Sequence, residues 1–172
     1  MSRGSMGWQE ISTLSEIVGS IAVVVTLIYL AIQIRDSAKA SRSAAVTDAT
    51  GGIQSWYQEL GSNPTAAELF LDGMADPERL SRKEQFQFVM LVHSVFLGFQ
   101  RSYFLSKAGT LDVELRDSIG TAVHAVNNQP GIHFYWRERK IFFQPEFAEW
   151  VEQLLARQSL SEMQQFFTPE SI

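Results

Sequence analysis

Three histidines, His93, His124 and His133, are the side chains best suited to proton transfer or metal binding, and their spacing decides whether they could act together. No two of them stand four residues apart, and none belongs to an H-E-x-x-H pattern, so the spacing offers no zinc site. His93 is flanked by Val92 and Val95 in the most apolar part of the second half, which reads as a hydrogen-bonded core histidine. His124 lies beside an apolar stripe and reads the same way. Two carboxylate pairs, Asp112 with Glu114 and Glu146 with Glu149, have the composition of a general acid and base. Both fall where helices should begin, and there acidic side chains are explained by the helix macrodipole. Serine is plentiful, yet no G-x-S-x-G elbow and no G-x-x-x-x-G-K-[ST] phosphate loop occurs. No motif identifies a catalytic residue, a cofactor or a metal.

A basic and aromatic cluster, His133 to Phe143 (HFYWRERKIFF), is the other chemically dense segment. Arg137, Arg139 and Lys140 beside Tyr135, Trp136, Phe142 and Phe143 have the make-up of a surface that meets a membrane or an acidic partner. The simpler expectation is that the rings enter a core while the charges face water.

The most regular pattern is made of small and polar residues. Ser12, Ser15, Gly19, Ala22, Thr26, Tyr29 and Gln33 follow one another at alternating spacings of three and four. In a helix that spacing draws one seam along one face. Small residues let two helix backbones approach, and polar ones hydrogen-bond across, each contributing on the order of 1 kcal/mol in a membrane. The same rhythm continues through Asp36, Ala40, Ser43, Thr47 and Thr50. The expected consequence is a homo-oligomer with the seam as contact surface. A narrow pore lined by Thr26, Tyr29 and Gln33 is the alternative, and a monomeric anchor whose hydroxyls bond to their own backbone is the bland one.

The element that must carry this seam is residues 17–34, IVGSIAVVVTLIYLAIQI, with no charge and no proline. As a helix it spans roughly 27 Å, near the hydrocarbon thickness of a bilayer. A cleaved signal peptide fits less well, because Arg3 is the only basic residue ahead of the run and basic residues follow it. A buried core helix is the remaining alternative. Arg35, Lys39 and Arg42 stand immediately after the run, and positive charge prefers the cytoplasmic side. The lipid bilayer is thus the expected partner, with the N-terminus outside and the bulk of the chain in the cytoplasm. Trp8 and Tyr29 are candidate interfacial aromatics.

Composition agrees with one modest domain plus an anchor: 172 residues, 45% hydrophobic, net charge −5 and no cysteine. From Ser43 onward ten basic residues face sixteen acidic ones, a balance of −6 that lacks the electrostatic footprint of a nucleic-acid binder. The missing cysteines remove disulfides and thiol chemistry.

Along the chain, residues 1–10 read as a loose leader. Ser12 or Thr13 caps the first helix, with Glu16 in capping-box spacing to Thr13. Residues 11–60 are expected to form the membrane helix and its cytoplasmic extension, weakened at Gly51-Gly52 and stopped at Gly61. Residues 61–158 should be a helical domain. Asn63-Pro64 starts a helix that leads into Gly73, and Ser81 with Glu84 starts another over 82–107, apolar on most sides and ended by Gly109. A helix over 111–127 carries Leu115, Ile119, Val123 and Val126, Gln129-Pro130-Gly131 breaks the chain, and a last helix follows Pro145. Residues 159–172 lose periodicity and read as a tail. No alternation of period two points to a sheet.

The segments Trp8-Gln9-x-Ile11-Ser12, Glu16-Ile17-Val18-Gly19 and Ile28-Tyr29-Leu30-Ala31-Ile32-Gln33-Ile34-Arg35, with Gln129-Pro130-Gly131, Trp136 and Phe143-x-Pro145-Glu146-Phe147, resemble a group of bacterial membrane proteins with no assigned activity. That resemblance implies one N-terminal helix in the bacterial inner (plasma) membrane and a helical cytoplasmic region, and no reaction. The expected protein is all-α: one N-terminal transmembrane helix, then a small cytoplasmic bundle of four or five helices. Its expected role is a membrane-anchored, self-associating scaffold, with an oligomeric channel and a membrane-tethered enzyme or ligand-binding domain as alternatives.

Overall fold

Asparagine ahead of proline fixes the first clear chain break. The Asn63 side chain accepts a hydrogen bond from the Ala66 amide, and Pro64 occupies the first helical position. The computed structural model describes residues 7–157, and for Trp8, Gln9, Glu10, Ile11 and Leu14 the backbone alone. The side chain of Trp8, the first six residues of the expected leader and the tail 159–172 lie outside the described residues. Among those described, six α-helices and two 3-10 turns account for nearly all residues, and no strand occurs. The helices are α1 (Trp8–Ser62), α2 (Pro64–Ala75), α3 (Arg82–Lys107), α4 (Val113–Ala125), α5 (Pro130–Arg139) and α6 (Pro145–Leu155).

Two compact units divide the chain between Ser43 and Ala44. In the first, α1 begins at Trp8 rather than at the cap expected at Ser12 or Thr13. No proline or glycine separates Trp8 from Ser12, so nothing local stops the helix from extending.

The second unit holds the last turns of α1 with α2 to α6. There α1 packs through Ala45, Ala49 and Ile53, spaced at four residues. It also runs unbroken through Gly51-Gly52, correcting the expected interruption. Each glycine costs a helix roughly 1 kcal/mol relative to alanine. That cost is offset on both sides by burial of Ala49 and Ile53, and by the Trp56 indole N–H, which donates to the Leu91 carbonyl at 2.8 Å.

The Ser81 expectation holds in full. Its hydroxyl accepts from the Glu84 amide while the Glu84 carboxylate accepts from the Ser81 amide. The Glu84 carboxyl lies below its ordinary pKa, held there first by the Ser81 side chain and then by the bond from the Ser81 backbone amide. α3 then buries Phe88, Val89, Val92, Val95, Phe96 and Phe99 along one stripe. It is not enclosed on most sides as its composition suggested, because Phe86 and Leu97 are exposed. A central helix meeting neighbours on one stripe only leaves the opposite face to solvent. Past Lys107 the chain turns at Gly109, whose φ of 73° favours a residue without Cβ.

The rest of the core is aromatic. Tyr135, Phe88, Phe96 and Phe147 are fully buried, Phe96 lies 4.8 Å from Tyr135 between ring centroids, and Trp136 stacks on Phe143 at 5.6 Å. α4 is shorter than the expected 111–127, running Val113–Ala125. α2 continues through Gly73 to Ala75, because Gly73 serves packing rather than termination. A Cβ on Gly131 would stand 2.1 Å from the Gly73 carbonyl oxygen and 2.5 Å from Met74 Cα. Gly131 thus lets α5 meet the backbone of α2, while Gly73 makes room for the Phe88 ring of α3. Pro130 does not simply break the chain but opens α5. Finally, the Asn127 amide donates to the Arg157 carbonyl at 2.7 Å, fastening the end of α6 to the turn after α4.

Candidate functional site

The seven seam residues, Ser12, Ser15, Gly19, Ala22, Thr26, Tyr29 and Gln33, all lie on α1 in the first unit and all are exposed. At 3.6 residues per turn they fall within a sector of about 100°. A Cβ at Gly19 would meet nothing within 4 Å. The Thr26 hydroxyl donates to the Ala22 carbonyl at 2.8 Å, and Ser20 does the same to Ile17. Thr26 is therefore already satisfied within its own helix, as isolated hydroxyls in helices often are. The extension of the seam fares differently: Thr47 lies about 160° around the helix from the packed Ala45 and Ala49 and stays exposed, while Thr50, nearer Ile53, is half-buried. Arg35, Lys39 and Arg42 are exposed on the same helix.

Residues 17–34 are exposed throughout, their large apolar side chains from 44% at Leu30 to 69% at Ile34. Among the described residues two helices are long and apolar enough to cross a membrane, Ser15–Ser62 and Arg82–Lys107. The second supplies the bundle core, and its apolar character is used there.

In the second unit His93 is half-buried, its Nδ1 3.0 Å from the Tyr135 hydroxyl and its ring 5.1 Å from that of Phe143. Burial pushes the His93 pKa down, and the Arg139 guanidinium adds to the effect. Burial likewise pushes the Tyr135 phenol up, so it stays protonated, and it shares a hydrogen bond with His93 Nδ1 whose direction follows the imidazole tautomer. This is the hydrogen-bonded histidine expected from its neighbours, half-buried at the edge of the core. The linkage has a definite sign. A histidine whose folded pKa is depressed binds its proton more readily when unfolded, so its contribution is present above the unfolded pKa and lost as pH falls toward the folded one. We expect the urea midpoint of the protein to decline as pH drops from 7 through 6.5 and below, and His93→Gln to flatten that part of the curve. Parallel profiles for the two proteins between pH 7 and 5 would count against it.

His133 reaches the Asn127 carbonyl at 2.7 Å through Nε2, and His124 is half-buried on α4. Glu146 lies in the first turn of α6 and pairs with Lys107, whose pKa rises through that bond. Asp112 holds the N-cap position of α4 without a side-chain capping bond, and Glu114 occupies the first turn. Among the described residues no group of three or more His, Asp or Glu side chains could hold a metal ion. The cluster 133–143 divides: Tyr135, Trp136 and Phe143 enter the core, while Ile141 and Phe142 on a 3-10 turn remain exposed beside Arg139 and Lys140.

Sequence reasoning missed an apolar cavity of about 200 Å³, open to solvent on one side, within the second unit. Met74, Val92, Phe96, Phe99, Val123 and Ile132 form its buried floor. Trp56, Tyr57, Leu60, Phe70, Ala125 and Val126 form its partly exposed rim, with Trp56 edge-on to Phe70 at 5.2 Å. Each of these residues was legible as apolar, but the space between them was not. An equal void sealed in a core would cost on the order of 5 kcal/mol.

No family model, curated protein or solved structure matches the chain. The functional reading therefore rests on the geometry above.

Proposed function

We propose that the protein is a membrane-anchored helical scaffold that self-associates through the seam of α1. The observation that carries this is the exposure of every residue in 17–34: an 18-residue apolar surface that its own fold leaves uncovered. Hydrocarbon removes that surface from water, and its helical backbone needs no outside hydrogen bonds. The basic residues Arg35, Lys39 and Arg42 favour an orientation with the second unit in the cytoplasm.

Once in lipid, two copies meet best where backbones can come closest. Gly19 and Ala22 supply that, and Ser15, Tyr29 and Gln33 supply polar atoms along the same face. A water-filled pore is less well supported, since the Thr26 hydroxyl is turned onto the Ala22 carbonyl. The absence of native cysteine makes the contact easy to test. In lipid nanodiscs or detergent, Ala22→Cys should form disulfide-linked dimers on oxidation, whereas Val24→Cys, about half a turn away, should not. Adding Gly19→Leu to the Ala22→Cys protein should cut the dimer roughly tenfold. Equal crosslinking at positions 22 and 24 would reject the seam.

A further inference from the structure

We infer that the cavity of the second unit is a binding site for a small uncharged hydrocarbon-like group, a single aromatic ring or a short alkyl segment. All fourteen side chains that line it are apolar or aromatic. The only side-chain polar atoms among them are the Trp56 indole nitrogen and the Tyr57 hydroxyl, and the indole N–H is already given to the Leu91 carbonyl. A water molecule inside needs two to four polar partners, which these walls do not offer. A charged or strongly hydrogen-bonding ligand would bury its polar atoms unpaired and is rejected for the same reason.

Size narrows the class further. At about 200 Å³ the space is somewhat larger than an apolar cavity of about 150 Å³ that takes benzene, so an occupant of about eight to ten non-hydrogen atoms fits. The rim gives it a way in: Tyr57 is exposed, and Leu60, Phe70, Ala125 and Val126 are only half-buried. Two sources supply this chemistry, a free small apolar molecule and the terminal segment of a lipid acyl chain. No seam residue lines the cavity, so probe binding stands whether or not α1 self-associates and the two readings fail separately.

The test uses the full chain in lipid nanodiscs with 4-fluorotoluene as probe and empty discs as reference. We expect saturable ¹⁹F line broadening beyond the empty-disc background, at sub-millimolar to millimolar probe. Ala122→Leu and Ala125→Leu each add volume to the wall, and at least one should fold with an unchanged helical spectrum and reduce binding tenfold or more. Discs built from lipids fluorinated at the chain terminus separate the sources. A shifted lipid signal that the wild type shows and the filled variant lacks assigns the site to a chain end, whereas probe binding without such a signal assigns it to a free molecule. Linear, non-saturating uptake equal to empty discs, or undiminished binding in a folded filled variant, overturns the inference.

Discussion

The double substitution Val24→Arg with Ile28→Arg is expected to move the protein from the membrane pellet into the supernatant after alkaline carbonate extraction, while the unaltered chain stays with the bilayer. Residues 17–34 hold eleven Ile, Val and Leu residues. At about 0.3 to 0.6 kcal/mol each near the centre of a membrane, they favour insertion by roughly 3 to 7 kcal/mol. Each arginine near the centre opposes insertion by about 2.5 to 3.5 kcal/mol, so two of them offset the whole gain. Val24 and Ile28 lie outside the small-residue seam and are exposed in the fold, so the bundle core is untouched. The control is the second unit, whose melting should not change. If the native chain remained soluble without detergent as a compact monomer, both the anchor and the scaffold built on it would have to be abandoned.

Gly131→Ala is expected to lower the stability of the second unit by about 3 kcal/mol, near the top of the usual range for overpacking, and its Tm by about 10 °C. The added Cβ would lie 2.1 Å from a backbone oxygen of Gly73 and 2.5 Å from the Cα of Met74. Backbone atoms of a packed helix cannot rotate aside as a side chain can, so α2 and α5 must separate. Separation opens the core around Met74, Ile132 and Tyr135, all essentially fully buried. Gly52→Ala gives the opposite sign. It is an exposed interior position in the C-terminal part of α1 with nothing within 4 Å of a new Cβ, and the gain in helix propensity should raise stability by about 0.5 to 1 kcal/mol. Urea denaturation of the three proteins checks both. Equal midpoints for Gly131→Ala and the wild type would refute the close crossing.

The contrast between those two glycines shows where a linear reading stops. By sequence alone, Gly51-Gly52 weaken a helix, another helix leads into Gly73, and Gly131 belongs to a break. Propensity is a local quantity of about 1 kcal/mol per glycine, and the packing of Ile53 and Trp56 outweighs it. For Gly131 the decisive partner, Gly73, is 58 positions earlier in the chain, and no pattern along the sequence pairs them.

Three helix starts belong to the sequence. Asn63 and Ser81 with Glu84 set theirs through bonds that close within three residues, and Pro145 through a φ already fixed for the first helical position, so residue identity and spacing are enough. The apolar run 17–34 and the placement of seven small and polar residues on one face are fixed in the same local way, by composition and a 3.6-residue turn. Tertiary structure alone decided which aromatic residues of 133–143 enter the core, that His93 meets Tyr135 across 42 positions, and that a cavity lies between Trp56, Phe96 and Val126. Each of these depends on the angle and distance at which separate helices cross, and that is set by all the side chains at the contact together.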